Sequence, residues 1–477
     1  MSVYQAFYID GQWVEPTAKQ VLGDALFEVV NPADETVLTQ VKSATHQEVD
    51  RAVRVARIAF DRWSQTDAAK RIALLERLLE LYQDNIEKMG HLISKEMGAP
   101  IDFAIESQAA CGAGHIQTTI DVLKQYVFEQ KLGPTQIMKE PVGVCALITP
   151  WNWPMNQITC KVAPALGAGA TMVLKPSEQT PLSAHLFAQL VDQAGFPPGV
   201  FNLLQGTGER VGAYLSEHPD VDMVSFTGST RAGAAVSKAA ADTIKRVALE
   251  LGGKSPSIVF DDADLEAAVS GTVAHCMDNS GQSCNAPTRL LVHETIYEQA
   301  LVIAEREARE TAVKSPDQHG TFIGPLVNAK QYDHVQTLIN RGLSEGAKLI
   351  AGGPGRPDGM DQGYYCRPTV FADVTNEMDV ARTEIFGPVV CLIKFSTEQE
   401  AVAIANDTPY GLAAYVHTQD LIKAERVARQ LRAGMVRING AAHPYTAPFG
   451  GYKRSGTGRE WGLYGLEEYL ETKAISA

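Results

Sequence analysis

Between residues 142 and 253 the chain alternates short apolar runs with helix-forming segments, and nothing else in the sequence constrains the fold as strongly. VGVCALITP (142–150), ATMVLKPSE (170–178), VFNLLQG (200–206), VDMVSFTGS (221–229) and RVALELGG (246–253) read as strands, closed by proline or glycine. PLSAHLFAQLVDQAG and RAGAAVSKAAADT, lying between them, read as helices. Such alternation needs crossover connections, and so predicts an α/β chain with a parallel sheet covered by helices. Ligands of these sheets bind at the carboxyl ends of the strands. After Asp261 the pattern resumes: SPSIVF, RLLVHE, VVCLIKF, GLAAYVHT and MVRING read as strands and IYEQALVIAEREARETAV as a helix. A second α/β domain is predicted there, with the glycine-rich AGGPGRPDGMDQGYY on its surface. The first hundred residues read as mostly helical after a short β start, with THQEVDRAVRVARIAFDRW and RIALLERLLELYQDNIEKM as amphipathic helices.

At 477 residues the chain is too long for one core, and two or three domains are expected. A composition 45% hydrophobic and 21% charged is that of a folded protein, not a disordered one. The net charge of −14 argues against nucleic acid or an anionic membrane as a partner held by bulk charge. The longest nearly uncharged apolar stretch, 162–174, is closed by Lys161 and Lys175 and is too short to span a bilayer. The opening MSVYQAFYIDGQWVEP has no basic segment followed by an apolar core, so no secretory leader is expected. Seven cysteines, an odd and scattered number, suit a reducing cytoplasm. With no CxxC pair or clustered Cys/His spacing, no metal site is expected.

One cysteine stands apart. Cys284 lies in NSGQSCNAP, among small and polar residues, where Gly281 permits close backbone approach. That suits a nucleophile, although a free cysteine is also an ordinary small buried hydrophobe. Two glycine turns follow strands and open helices: GTGERVG (206–212), one residue longer than the G-x-G-x-x-G spacing, and FTGSTRAG (226–233). Either could hold a pyrophosphate at a helix N-terminus, or be turn geometry alone. Three other strand ends carry polar groups: Asn152 in PWNWP, Lys175 and Glu178 in KPSE, and Glu250 in LELGG. A carboxylate among leucines and glycines has a raised pKa suited to a general base; the competing reading is a capping or ion-paired glutamate.

PWNWP, KPSEQTP, FTGSTRAG, LELGGKSP, NSGQSCNAP, TEIFGPV and PFGGYKRSGTGRE occur in the order found in the aldehyde dehydrogenase superfamily, which this chain resembles over nearly its whole length. The resemblance implies a non-acylating, hydrolytic enzyme in which Cys284 is the nucleophile, Glu250 the general base and Asn152 the side-chain donor of an oxyanion hole. It implies a nicotinamide cofactor held by Lys175 and Glu178 at the adenosine ribose, and by Gly228, Ser229 and Gly233 at the pyrophosphate. Trp151, Glu384 and Phe386 belong near the nicotinamide ribose and ring. GTGERVG becomes a structural turn. Where many members have two acidic residues, this chain has Thr383 before Glu384. A carboxylate at Glu178 repels a 2′-phosphate, which favours NAD over NADP.

The same resemblance lines the substrate tunnel with Trp153, Asn156, Gln157, Cys160, Ser283, Asn285, His443 and Phe449. Gln157, Cys160 and His443 make it wider and more polar than in members acting on simple aldehydes, so a medium-sized aldehyde with a second polar group, such as a semialdehyde, is expected. A CoA-acylating relative would lack Glu250 and Asn152, and a non-catalytic protein on this fold would lack Cys284 or Glu250. A cysteine hydrolase using His275 or His443 would leave the cofactor motifs unexplained. The implied fold has a Rossmann-type NAD-binding domain from 1–120 and 141–252, a catalytic α/β domain at 253–459, and a small β-flap from 121–140 completed by 460–477. Exposed edges in such a flap predict a homodimer or homotetramer.

Overall fold

A computed structural model describes residues 3–4, 6–15 and 26–476. Its largest sheet has eight strands. Five of them are parallel, in the order Arg246–Glu250, Met223–Thr227, Val144–Ile148, Thr171–Lys175, Phe201–Leu203. Val144–Ile148 is first of these in the chain yet central in the sheet, with later strands added on both sides. The order therefore reverses beside it, and a crevice opens past its carboxyl end.

The strand residues explain the layering. Val144, Ala146 and Ile148 point into a core shared with Val49, Val53 and Val236, from the helices His46–Trp63 and Thr230–Ala240. Cys145 and Leu147 point the other way, into a core with Ile158, Phe187 and Leu78. A sheet buried on both faces needs continuous apolar runs, and VCALI and TMVLK supply them.

A seven-stranded sheet forms the second layered unit, in the order Lys348–Ala351, Thr369–Ala372, Val389–Phe395, Arg289–His293, Pro256–Val259, Ala413–His417, Met435–Ile438. All its pairings are parallel except that of the first strand. A third, three-stranded sheet pairs Leu470–Ser476 with Thr135–Pro141 and that strand with Glu129–Leu132.

Two sequence expectations need correction. Among the described residues, the first 42 positions hold five short strands rather than a brief β start. Strands of two to six residues are too short for alternation to reveal. The run RIALLERLLELYQDNIEKM is also not continuous: one helix ends at Gln83 and another begins at Ile86, the break falling on Asp84 and Asn85. Both residues bond readily to local backbone and so favour helix ends.

Candidate active site

Every polar motif of the first unit lies at the carboxyl end of a parallel strand: PWNW after Ile148, PSE after Lys175, GST after Thr227 and LGG after Glu250. The second unit presents the opposite ends of its strands. Residues 281–288 precede Arg289–His293, and Glu384–Phe386 precede Val389–Phe395. The strand-end rule thus locates half of the site; the other half comes from amino ends facing it.

The Cys284 loop is fixed by hydrogen bonds. Asn279, Ser280 and Gly281 all have left-handed backbone, with φ of 55°, 57° and 74°. Two non-glycine residues in that region carry strain that the surroundings must offset. The Asn279 amide donates to the Asn152 carbonyl at 2.9 Å and accepts from Gln108 at 2.8 Å. Ser280 donates to the Gly324 carbonyl at 2.8 Å, and the Gln282 side chain bonds to Asn279 and Val327. A Cβ on Gly281 would collide with the Gly387 carbonyl, so this glycine docks the loop on FGP of TEIFGPV. Asn152 donates to the Gln282 carbonyl at 3.0 Å, and its second amide hydrogen has no partner among the described residues.

Cys284 is the only one of the seven cysteines that is not buried, and it packs with Trp461 against Leu412 and Phe449. Burial pushes its thiol up, and the Glu250, Glu384 and Glu460 carboxylates push it further. Neither His275 nor His443 is hydrogen-bonded to it among the described residues. His275 meets Tyr415 edge-on at 5.4 Å, and His443 meets Trp461 at the same separation.

Glu250 is 4% exposed, and neither carboxylate oxygen has a hydrogen-bond partner among the described residues. Burial pushes its pKa well above the ordinary range; Glu460 pushes the same way, while Lys161 and Arg459 oppose them. Lys161 and Glu460 form a buried ion pair that the motif reading missed. The Cys160 thiol donates to the other Glu460 oxygen at 3.3 Å. Lys161 follows Cys160 on the helix Pro154–Ala168, and a lysine buried in an apolar helix was the available signal.

Along the crevice, the Lys175 ammonium donates to the Gly206 carbonyl at 2.9 Å and lies 3.4 Å from Glu178. GTGERVG therefore supplies a carbonyl that holds Lys175. Ser229 caps the helix Thr230–Ala240 by accepting from the Ala232 amide at 3.3 Å. The Thr230 and Arg231 amides then point out of the helix start, a donor pair suited to an anion. The Gly228 amide donates to the Glu250 carbonyl at 3.0 Å, and a Cβ on Gly233 would collide with Leu251. Glu384 accepts from the Gly253 amide at 3.1 Å and is pushed up to about 7 by burial. Phe386, with φ of 54°, meets Trp151 edge-on at 5.5 Å.

The residues expected to line the tunnel divide into paired and unpaired groups. The Trp153 indole donates to Ser283 at 2.9 Å, and Asn156 bonds to His115 at 2.5 Å. The Asn285 carbonyl accepts from Tyr415 at 2.8 Å. Gln157 Oε1 and His443 Nε2 are buried without partners among the described residues. Phe449 stacks on Trp461 at 4.6 Å, and Trp461 is also met by Tyr445 and His115, three rings the sequence reading did not single out.

The sequence pattern of the Aldehyde dehydrogenase family matches residues 18–475. The chain belongs to that family. It is an aldehyde dehydrogenase, an oxidoreductase acting on the aldehyde group. It is 53% identical to a 3-succinoylsemialdehyde-pyridine dehydrogenase of a Pseudomonas species, covering 100% of this chain and 99% of the relative. The aldehyde dehydrogenase of Bartonella henselae superposes with a TM-score of 0.97 at 49% identity, covering all of both chains. A cysteine-to-alanine mutant of aldehyde dehydrogenase C from Pseudomonas syringae, solved with NAD+ and octanal, also reaches 0.97, at 52% identity over 99% of this chain and 96% of its own. Among the described residues no helix is long and apolar enough to cross a membrane, and no group of three metal-ligating side chains occurs.

Proposed function

We propose that this aldehyde dehydrogenase oxidises its substrate through a covalent intermediate on Cys284 and releases the free carboxylic acid. The observation that carries the reading is the Glu250 carboxylate, buried and unpaired while within electrostatic reach of the Cys284 thiol. A buried carboxylate without donors costs stability, and a base that must take a proton from thiol or water accounts for its retention.

The Cys284 sulfur attacks the aldehyde carbon, its proton passing to Glu250, and the aldehyde oxygen becomes the alkoxide of a thiohemiacetal. The free Asn152 amide hydrogen and the Cys284 backbone amide hold that charge. A nicotinamide bound in the crevice supplies a hydride acceptor, which raises the bound substrate to the oxidation level of a thioester. Glu250, having passed the thiol's proton to solvent, then takes a proton from water, whose oxygen adds to the thioester carbon; the adduct expels the Cys284 thiolate, which recovers a proton from Glu250 as the acid is freed.

The crevice fits the cofactor: Lys175 and Glu178 for ribose hydroxyls, the Ser229–Arg231 helix start for the pyrophosphate, Glu384 and Phe386 with Trp151 for the nicotinamide end. Solved relatives with NAD+ support this, and the Glu178 carboxylate favours NAD over NADP. The unpaired polar atoms of Gln157 and His443 support a medium-sized aldehyde with a second polar group. The ring-bearing semialdehyde in the Pseudomonas relative's name agrees with that. The division into NAD-binding parts at 1–120 and 141–252, a catalytic part at 253–459 and a flap from 121–140 and 460–477, with a homodimer or homotetramer built on the flap, belongs to the same reading. Seven free thiols support a reducing, cytoplasmic setting.

The test is NADH formation from an aldehyde panel without CoA, by wild type and by Cys284→Ser and Glu250→Gln. Loss of turnover in both variants is expected, with acyl-enzyme trapped in Glu250→Gln. Unchanged activity in Cys284→Ser refutes the mechanism.

A further inference from the structure

The hydrogen bonds around Asn279 can run in one direction only. Two of its partners are backbone carbonyls, of Asn152 and Gln282, and a carbonyl can only accept. The Asn279 amide nitrogen donates to them at 2.9 and 3.2 Å, so its Oδ1 faces the other way, toward Gln108. Whatever stands at position 108 must therefore donate. Gln108 does so at 2.8 Å, and its amide nitrogen also meets the Met97 sulfur at 3.3 Å. The Gln108 Oε1 is left buried without a partner among the described residues. A flipped amide would set that oxygen against Asn279 Oδ1, acceptor against acceptor. Gln108 reaches this point from a widened turn: Ala104–Ala109 is a π-helical turn between the helical segments Ile101–Phe103 and Ala110–Leu123. Such turns recur at functional sites. The helix Ile86–Met97 backs it, for a Cβ on Gly90 would collide with Ile105 and Met97 supplies the sulfur. Gln108, Asn152 and Asn279 are all buried, where an unpaired polar group is most costly.

Resting on the active-site reading above, we propose that Gln108 is a positioning residue for the oxyanion donor. It acts through Asn279 rather than on the substrate. By fixing which way the Asn279 amide faces, it holds the Asn152 backbone and the Gln282 carbonyl together. The Asn152 side-chain hydrogen is thereby aimed at the substrate oxygen. With an acceptor at position 108 the Asn279 amide turns over, its oxygen meets the two carbonyls, and Asn152 and the Cys284 loop move apart.

The decisive variant is Gln108→Glu, which keeps the shape but exchanges the amide for a carboxyl that donates only when protonated. The first-turnover rate of NADH formation is measured from about pH 5 to about pH 9, with Gln108→Leu beside it. That rate constant does not depend on the fraction of enzyme that is folded. Gln108→Leu is expected to be slower than wild type by about ten- to a hundredfold across the range, the scale of a misplaced catalytic group. KM for aldehyde and NAD+ stays unchanged, because the loss falls where charge develops. Gln108→Glu is expected to fall further behind wild type as pH rises and its carboxyl ionises. Gln108→Leu combined with Asn279→Ala is expected to be no slower than Asn279→Ala alone, since the one residue acts through the other. A ratio of Gln108→Glu to wild type that is flat with pH overturns the proposal. So do losses that multiply in the double variant, or a Gln108→Leu rate equal to that of wild type.

Absence of NADH from every aldehyde, or unchanged activity in Cys284→Ser, is instead the failure of the active-site reading. Thermal melts then decide the donor role separately. A buried carboxyl facing Asn279 Oδ1 has a folded-state pKa above its unfolded value, so its stability is lost as pH rises through the folded pKa. Gln108→Glu is therefore expected to melt progressively lower than wild type as pH rises, and Gln108→Leu to keep a constant deficit. A Gln108→Glu deficit that does not change with pH overturns the donor role.

Discussion

Asn152 and Gln282 are joined across the crevice, the side-chain amide of the first donating to the backbone carbonyl of the second at 3.0 Å. One hydrogen of the amide thus locks the Cys284 loop to the end of the strand Val144–Ile148; on the proposed mechanism the other is left for substrate. Asn152→Ala removes both. A kcat loss of about 10²–10³ is expected from the missing oxyanion donor. A further destabilisation of about 0.5–1.5 kcal/mol is expected from the lost hydrogen bond to the Gln282 carbonyl, which keeps its second donor, the Asn279 amide at 3.2 Å. Steady-state kinetics and a thermal melt check the two effects; a melt unchanged from wild type would show that the loop does not depend on Asn152.

Cys284 is surrounded by carboxylates that raise its pKa, so alkylation by iodoacetamide should be slow at pH 7 and climb with pH in the cofactor-free enzyme. The sign of the Glu250 effect is fixed by charge. An ionised Glu250 disfavours the thiolate, so Glu250→Gln lowers the thiol pKa and moves the alkylation profile to lower pH. Movement to higher pH would mean that Glu250 does not act on the thiol as a neighbouring negative charge.

Much of the fold was legible in the sequence, and with it the strand ends at which the candidate polar groups stand. VCALI, TMVLK and MVSFT are almost wholly apolar, as strands buried on both faces must be, and the residues after each form the crevice. The Cys284 loop was legible as composition but not as position. Nothing in NSGQSCNAP shows that Gly281 docks on Gly387 rather than opening space for substrate, since that contact joins segments far apart in the chain. Lys161 and Glu460 were missed for a related reason. Each looks like an ordinary charged residue until the fold buries it against the other, 299 positions away.

Glu460 sets the basicity of Glu250. Its negative charge raises the Glu250 pKa, which Lys161 opposes. Glu460→Gln leaves the Lys161 cation unbalanced, so the Glu250 pKa falls and Glu250 ionises at lower pH. The rising limb of the deacylation rate against pH should then move to lower pH by on the order of one unit. Breaking a buried pair from one side also costs about 3–5 kcal/mol, which Lys161→Met in the same background should partly restore. A pH profile that stays in place in Glu460→Gln would separate Glu460 from the catalytic base.

On the proposed reading, Glu178 carries the cofactor preference. Its carboxylate is held beside the Lys175 ammonium at 3.4 Å and is 33% exposed, placed to accept from ribose hydroxyls. A 2′-phosphate would bring like charge to this point, at a cost of several kcal/mol. Glu178→Ser removes the repulsion and the ribose acceptor together. The ratio of kcat/KM for NADP over NAD should therefore rise by at least about tenfold, part of it from weaker use of NAD. A ratio that does not change would place the discrimination elsewhere in the crevice.

The flap supplies the last test. Thr135–Pro141 is paired on both sides, by Leu470–Ser476 and by Glu129–Leu132, yet the outer strands are almost wholly exposed in the single chain. Leu132 and Ile475 stand in water at 71% and 44% exposure. A three-stranded ribbon with exposed apolar residues and two open edges is a liability unless another subunit covers it. The full-length chain should therefore sediment as a dimer or tetramer, and deletion of residues 471–477 should shift it to smaller species by stripping Thr135–Pro141 of one partner. A full-length chain that sediments as a monomer, or a truncated one that keeps its assembly, would remove the flap from the interface.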